Sequence, residues 1–234
     1  MNKYVTLENE YYELLIPNNL QEYGKEILKY STLKIKEYLH FFKEETYGEK
    51  IKCSIFLNRE DFIKRIKEKA NYIVAPSWTK WSKGSYCGEE VQILLEQTEN
   101  IYERIPTLAH ETFHLCFTKF IYERNNWDRI TWLDESLAGN FDGTTEKRIQ
   151  RNQFLEMITK LLSKKTLPKM SELLENYNDE FLNLFKVVGR YLIETKTNEE
   201  LYNYIHNIEQ VLKDGETILE ESLLYFNKKY FVDR

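Results

Sequence analysis

The sequence predicts an α+β architecture: a small mixed sheet interleaved with helices, followed by an all-helical C-terminal part. Three observations predict it. Short apolar runs of strand length, EYYELLI at 10–16, IKCSIFL at 51–57 and VQILLE at 91–96, all fall in the first hundred residues. Helical periodicity separates the first two of these runs. From about residue 146 onward it is the only pattern left. Strands mixed with helices and then helices alone is the order of an α+β half joined to an α half.

Each element has its own local reason. Pro17 and Asn18 end the first strand. From about Leu20 to Phe42, the residues Leu20, Tyr23, Ile27, Tyr30, Leu33 and Tyr38 recur near the 3.6-residue period of a helix. Residues 51–57 begin by alternating apolar and polar side chains, and 59–70 (REDFIKRIKEKA) reads as an amphipathic helix. The stretch 75–90 holds Pro76, Gly84 and Gly88 and reads as a loop or irregular hairpin. A helix over about 105–120 follows, with Pro106 in its first turn. A second begins near Thr131, where Thr131 and Asp134 have capping-box spacing. Thr197 and Glu200 form another such pair, Pro168 marks a turn, and Gly189 inside a helical run marks close helix packing. Residues 1–145 are expected to form the α+β lobe and 146–234 a helical lobe completing a cleft, the two making one compact unit.

Composition narrows the function classes. With 234 residues, 42% hydrophobic and 30% charged, the chain reads as soluble and globular and can bury a core without disulfides. A net charge of −5, with lysines spread among glutamates, argues against a nucleic-acid partner. The three cysteines, Cys53, Cys87 and Cys116, form no CxxC pair and no disulfide framework. The N-terminus has early acids and no apolar core of a signal peptide, and no run reaches the length of a membrane span. The expectation is a cytoplasmic protein without a membrane partner.

One constellation carries chemistry. His110-Glu111-Thr112-Phe113-His114 is an H-E-x-x-H motif on the predicted helix 105–120. Positions i and i+4 share a helix face, so two imidazoles can aim at one ion. Zinc takes neutral imidazole nitrogen and carboxylate oxygen, and a catalytic site leaves one position open for water. Glu111 is rotated about 100° from His110 around the helix. It can stand beside that water as a general base without ligating the metal. Leu108, Ala109, Phe113, Leu115 and Phe117 make the helix largely buried, where two histidines and a glutamate are costly without a task. A third ligand is needed, and Glu135 in Trp132-Leu133-Asp134-Glu135-Ser136-Leu137-Ala138-Gly139 offers one, with 20 residues between it and His114. That interval lets the first helix end, the chain turn near Asn125-Asn126, and a second helix return. Ala138 and Gly139, on the face of Glu135, would let the two helices approach closely.

The pair HETFH and WLDESLAG resembles the gluzincin signature, an H-E-x-x-H followed about twenty residues later by a W-L-[ND]-E-G-x-A segment. It is most similar to the bacterial peptidase MA-like group and more distantly to thermolysin and aminopeptidase N. The motifs cover about 30 residues, and a looser pattern runs from roughly 10 to 210. The resemblance implies a zincin-like fold and a zinc-dependent metallopeptidase acting on a peptide or protein substrate. It makes His110, His114 and Glu135 the zinc ligands and Glu111 the general base. It also implies an antiparallel edge strand before the active-site helix that pairs with extended substrate, and Val91–Glu96 stands in that place. Ser136 replaces the usual glycine, no G-A-M-E-N segment occurs, and Phe117 and Phe120 exclude the metzincin pattern. Gluzincins add a later Tyr or His that stabilises the oxyanion. Tyr177, Tyr191, Tyr202, Tyr204 and His206 are in range, and Tyr191 is the candidate.

Other residues read more plainly. Cys116 reads as a core thiol and His40 as solvent-facing or part of the core. Cys87 reads as an incidental loop cysteine or an inhibitory thiolate near the metal. Trp78 and Trp81 with Tyr86 read equally as lining of a substrate cleft or as a cap on the sheet. Two competing readings stand beside the peptidase: a zinc-retaining regulatory or peptide-binding protein with little turnover, and a helical interaction module without metal.

Overall fold

A computed structural model describes residues 4–80, 82–87, 90–96, 100–164, 167, 173, 179–215 and 217–232. The expected turn at Pro168, together with Trp81, Gly88 and Tyr177, lies outside the described residues. The fold is mixed α+β. It divides into two compact units, Met1–Lys119 and Phe120–Arg234.

The first unit is built on an open five-stranded mixed sheet. Its strands are β1 (Tyr4–Glu8), β2 (Tyr12–Pro17), β3 (Ile51–Phe56), β4 (Gly84–Cys87) and β5 (Glu90–Leu94), in spatial order β1-β2-β3-β5-β4. β2, β3 and β5 run parallel, while β1 and β4 pair antiparallel at the two edges. β2 and β3 alternate as the sequence predicts, with Tyr12, Leu14, Ile16, Ile51, Cys53 and Ile55 buried. β1 is an addition to the predicted strands. Its residues are mostly half-buried, so its apolar signal is weak, and a turn at Asn9 sets it against β2. Asn9 Oδ1 accepts the backbone N–H groups of Tyr11 and Tyr12 at 3.0 and 2.9 Å.

Helix α1 (Gln21–Phe42) packs on one face of the sheet together with α3 (Pro106–Phe117). Helix α2 (Arg59–Ala70) covers the other face. There Phe62 and Ile66 meet Cys87 and Leu94, with Trp78 packed against the cluster. Asn58 caps α2 by accepting the Asp61 N–H at 2.9 Å. A buried carboxylate ties α2 to the sheet. Glu90 accepts hydrogen bonds from Ser54, Arg65 and Lys69 at 2.8–3.0 Å. Burial alone raises the pKa of Glu90, but these donors more than offset it and hold its carboxyl below the ordinary carboxylate range.

The second unit is helical in its described residues. It holds α4 (Thr131–Phe141), α5 (Thr144–Gln150), α6 (Leu155–Leu162), α7 (Asp179–Thr195), α8 (Asn198–Ile205), α9 (Ile208–Asp214) and α10 (Ile218–Asn227). The helix carrying Glu135 therefore belongs to the helical unit, and its packing on α7 gives the reason. Asn140 Nδ2 donates to the Ser136 and Lys186 carbonyl oxygens at 2.8 and 2.9 Å. Gly189 lets the two backbones close, as the sequence predicts, because a Cβ there would lie 2.0 Å from Ser136 O. The expected capping box at α8 forms, with Thr197 and Glu200 exchanging both hydrogen bonds. The one expected at α4 does not: Ile130 is the N-cap, Thr131 is already helical, and Asp134 is held by Arg129 instead.

Candidate metal centre

The site begins with the rotation of α3. Pro106 stands at its first position, where the missing N–H costs nothing. The fully buried Tyr12 hydroxyl on β2 lies 3.1 Å from Thr112 Oγ1 and 3.2 Å from the Ser31 carbonyl oxygen. Phe113 meets the edge of Tyr38 at 5.2 Å between ring centroids, and Phe117 meets Phe42 at 5.9 Å. With Thr112, Phe113 and Phe117 anchored, the face that is left carries His110, Glu111 and His114. After Phe117 the helix widens into a π-helical segment, Thr118–Glu123. The chain then turns at Asn126, in the left-handed region with φ 55°, close to the expected turn.

The two imidazoles converge. His110 Nε2 and His114 Nε2 lie 3.1 Å apart, with the rings nearly perpendicular at 88°. Two nitrogens each about 2.0–2.1 Å from a tetrahedral zinc would be separated by about 3.3–3.4 Å. The pair therefore stands almost at the spacing of two ligands of one ion. His114 is 2% exposed. The Tyr86 ring on the edge strand β4 stacks on it, with ring centroids 5.7 Å apart and planes at 25°.

Glu111, 8% exposed, packs against the same strand. A Cβ on Gly84 would come within 2.4 Å of Glu111 Oε1. With the carboxylate in this position, a side chain at residue 84 would displace it. The edge strand beside α3 is thus β4, which corrects the expectation for Val91–Glu96. Val91 to Leu94 belong to β5, an interior strand parallel to β3 and buried throughout. Its run of apolar residues reflects that double-sided burial.

Glu135 lies in the second turn of α4, partly buried. Arg129 approaches it from the irregular segment just before α4, with Nη2 3.2 Å from Glu135 Oε1 and Nε 2.6 Å from Asp134 Oδ2. His110, His114 and Glu135 each offer one ligand atom, and these atoms all lie within 4.8 Å of one another. Two imidazoles and one carboxylate are a donor set that a zinc ion takes in three-ligand sites. Gly139 leaves room for the Lys186 side chain of α7, to which a Cβ would come within 2.7 Å.

The other sequence candidates have contacts of their own. The Tyr191 hydroxyl donates to Glu221 Oε2 at 3.0 Å, and its ring meets Tyr225 edge-on. Burial, followed by the Glu221 carboxylate, raises its pKa. His206 Nδ1 pairs with the Tyr202 carbonyl oxygen at 2.8 Å, and Tyr204 is buried. Cys116 is a core thiol, as expected. Cys87 packs among Phe62, Ile66 and Leu94, and burial pushes its thiol up, away from a thiolate. Trp78 caps the sheet, while Tyr86 belongs to the histidine face. His40 is exposed at the end of α1.

Tyr12, Gly84 and Arg129 are the supporting residues that the sequence reading passed over. A glycine in a short strand-like run (Gly84-Ser85-Tyr86-Cys87) is a signal for close backbone approach. An arginine just before a helix whose first turns carry adjacent acids is a signal for Arg129. Nothing local marks Tyr12, whose partner Thr112 is 100 residues away. No protein-family model, curated protein or solved structure matches this chain.

Proposed function

We propose that this protein is a zinc-dependent metallopeptidase of the gluzincin type, with a zincin-like fold, acting on a peptide or protein substrate. The observation that supports it most is the grouping of His110, His114 and Glu135 within 4.8 Å, with Glu111 on the same helix as the two histidines. His110 and His114 would hold the metal, and Glu135 would supply the third ligand and a compensating negative charge. Zinc bound there supplies Lewis acidity, which polarises the scissile carbonyl and makes water a nucleophile at neutral pH. Glu111 takes the proton from the attacking water and delivers it to the leaving amine. Its packing against Gly84 limits where the carboxylate can point. β4, as the edge strand beside α3, is the strand that extended substrate would lengthen. Tyr191 is the proposed oxyanion donor. Its bond to Glu221 is solvent-exposed and so exchangeable.

The test is zinc content together with peptide hydrolysis. Wild type carries about one zinc per chain, as a three-ligand centre requires, and His110→Ala loses it. Glu111→Gln keeps the zinc and loses hydrolysis. Tyr191→Phe lowers kcat about 10²- to 10³-fold with KM little changed. Zinc bound without hydrolysis of any peptide would leave the regulatory or peptide-binding reading. Absence of zinc, not restored by adding it, would remove the metal centre altogether.

A further inference from the structure

We propose that Arg129 is a positioning residue for the Glu135 carboxylate and thereby sets the metal affinity of the centre. This rests on the metal reading above. The arrangement is a chain of supports within the helical unit. Tyr122, buried in the π-helical segment, pins the backbone next to Arg129. Its hydroxyl accepts the Ile130 N–H at 3.1 Å and donates to the Ile130 carbonyl oxygen at 3.2 Å. The guanidinium is then anchored by Asp134, which is fully buried, through Nε at 2.6 Å. With Nε committed, the planar fork can present Nη2 in only a narrow range of directions, and it meets Glu135 Oε1 at 3.2 Å. That bond holds the Glu135 carboxylate in one orientation.

Two effects of the guanidinium oppose each other. Its positive charge repels a divalent cation, which weakens binding. Its hydrogen bond holds the third ligand in one orientation, which strengthens binding. Its side chain is 37% exposed, so water and salt screen the repulsion. The orienting bond is local and directional. Partners outside the ligand shell that orient a ligand are typically worth about 10- to 100-fold in metal affinity. Positioning therefore outweighs repulsion. The preceding Asp134 is explained by the same arrangement: it holds the arginine rather than capping α4.

The experiment is a chelator competition for Zn²⁺ on the full chain, in wild type, Arg129→Ala and Arg129→Lys. Co²⁺ absorption spectra and urea midpoints accompany it. The expected result is an affinity loss of about 10- to 100-fold in Arg129→Ala, with an altered Co²⁺ spectrum. Arg129→Lys keeps the charge but not the fork and is expected to stay near Arg129→Ala. Unchanged or tighter zinc binding in Arg129→Ala would overturn the proposal while leaving the metal centre standing. Wild-type affinity in Arg129→Lys would also overturn it, by showing that charge alone matters. If wild type itself bound no zinc, the proposed function would fall and this inference with it. A merely structural arginine would shift the urea midpoint and leave the Co²⁺ spectrum of the folded protein unchanged.

Discussion

The Glu111 carboxylate occupies the space in which a side chain on Gly84 would begin: a Cβ there would lie 2.4 Å from Glu111 Oε1 and 2.8 Å from Thr107 Cγ2. The first contact is with the end of a flexible side chain, which can swing away. Gly84→Ala should therefore fold, at a cost of about 1–3 kcal/mol, with Glu111 displaced. Hydrolysis should fall toward the level of Glu111→Gln while zinc content stays at the wild-type value. Full activity in Gly84→Ala would show that the strand does not position the base.

Gly189→Ala meets a harder obstacle. Its Cβ would lie 2.0 Å from the Ser136 carbonyl oxygen, a backbone atom that cannot rotate aside. The helices α4 and α7 must separate, and Ser136 is the neighbour of Glu135. The expected outcome is a loss of at least about 1–3 kcal/mol in denaturant unfolding, together with weaker zinc binding. A destabilised variant with wild-type zinc affinity would uncouple this contact from the third ligand.

Tyr12→Phe removes a buried hydroxyl between β2, α1 and α3. Thr112 Oγ1 and the Ser31 carbonyl oxygen then lose a partner in a site closed to water. The expected cost is about 1–3 kcal/mol, read as a lower urea midpoint at unchanged m-value. No change in midpoint would mean that Phe113 and the other aromatic contacts alone fix the helix.

Acid stability depends partly on Glu96. Hydrogen bonds from Lys83 and Arg59 lower its pKa to about 2. An unfolded glutamate titrates near about 4.3. The folded pKa is the lower one, so the stabilisation is present above the unfolded value and is lost as pH falls from about 4.3 to about 2. Glu96→Gln should therefore be less stable than wild type at pH 7, and the two should converge as pH approaches 2. Urea midpoints that stay equally far apart at both pH values would contradict this.

The legible parts of the fold are those with a strong local period. β2, β3 and α2 bury residues at the periods their patterns mark, α1 buries Tyr23, Ile27 and Tyr38 of its marked positions but exposes Leu33, and Thr197 with Glu200 caps α8 because both hydrogen bonds close within four residues. β1 and β4 were harder to read because they are edge strands, short or half-polar. The exchange of the edge position between β4 and β5 has the same origin. A run such as VQILLE marks burial, but it does not say how many strands lie beside it.

By itself the sequence determined the α+β order of elements, the spacing that sets His110 and His114 one turn apart, and Glu135 as the acid on a following helix. These are consequences of helical period and of chain length between motifs. Tertiary structure alone decided which strand backs the motif helix, that the Glu111 carboxylate fills the space a side chain at position 84 would need, and that Asp134 serves Arg129 instead of the helix end. Those outcomes depend on which groups compete for one partner in space, and sequence distance carries no record of that competition.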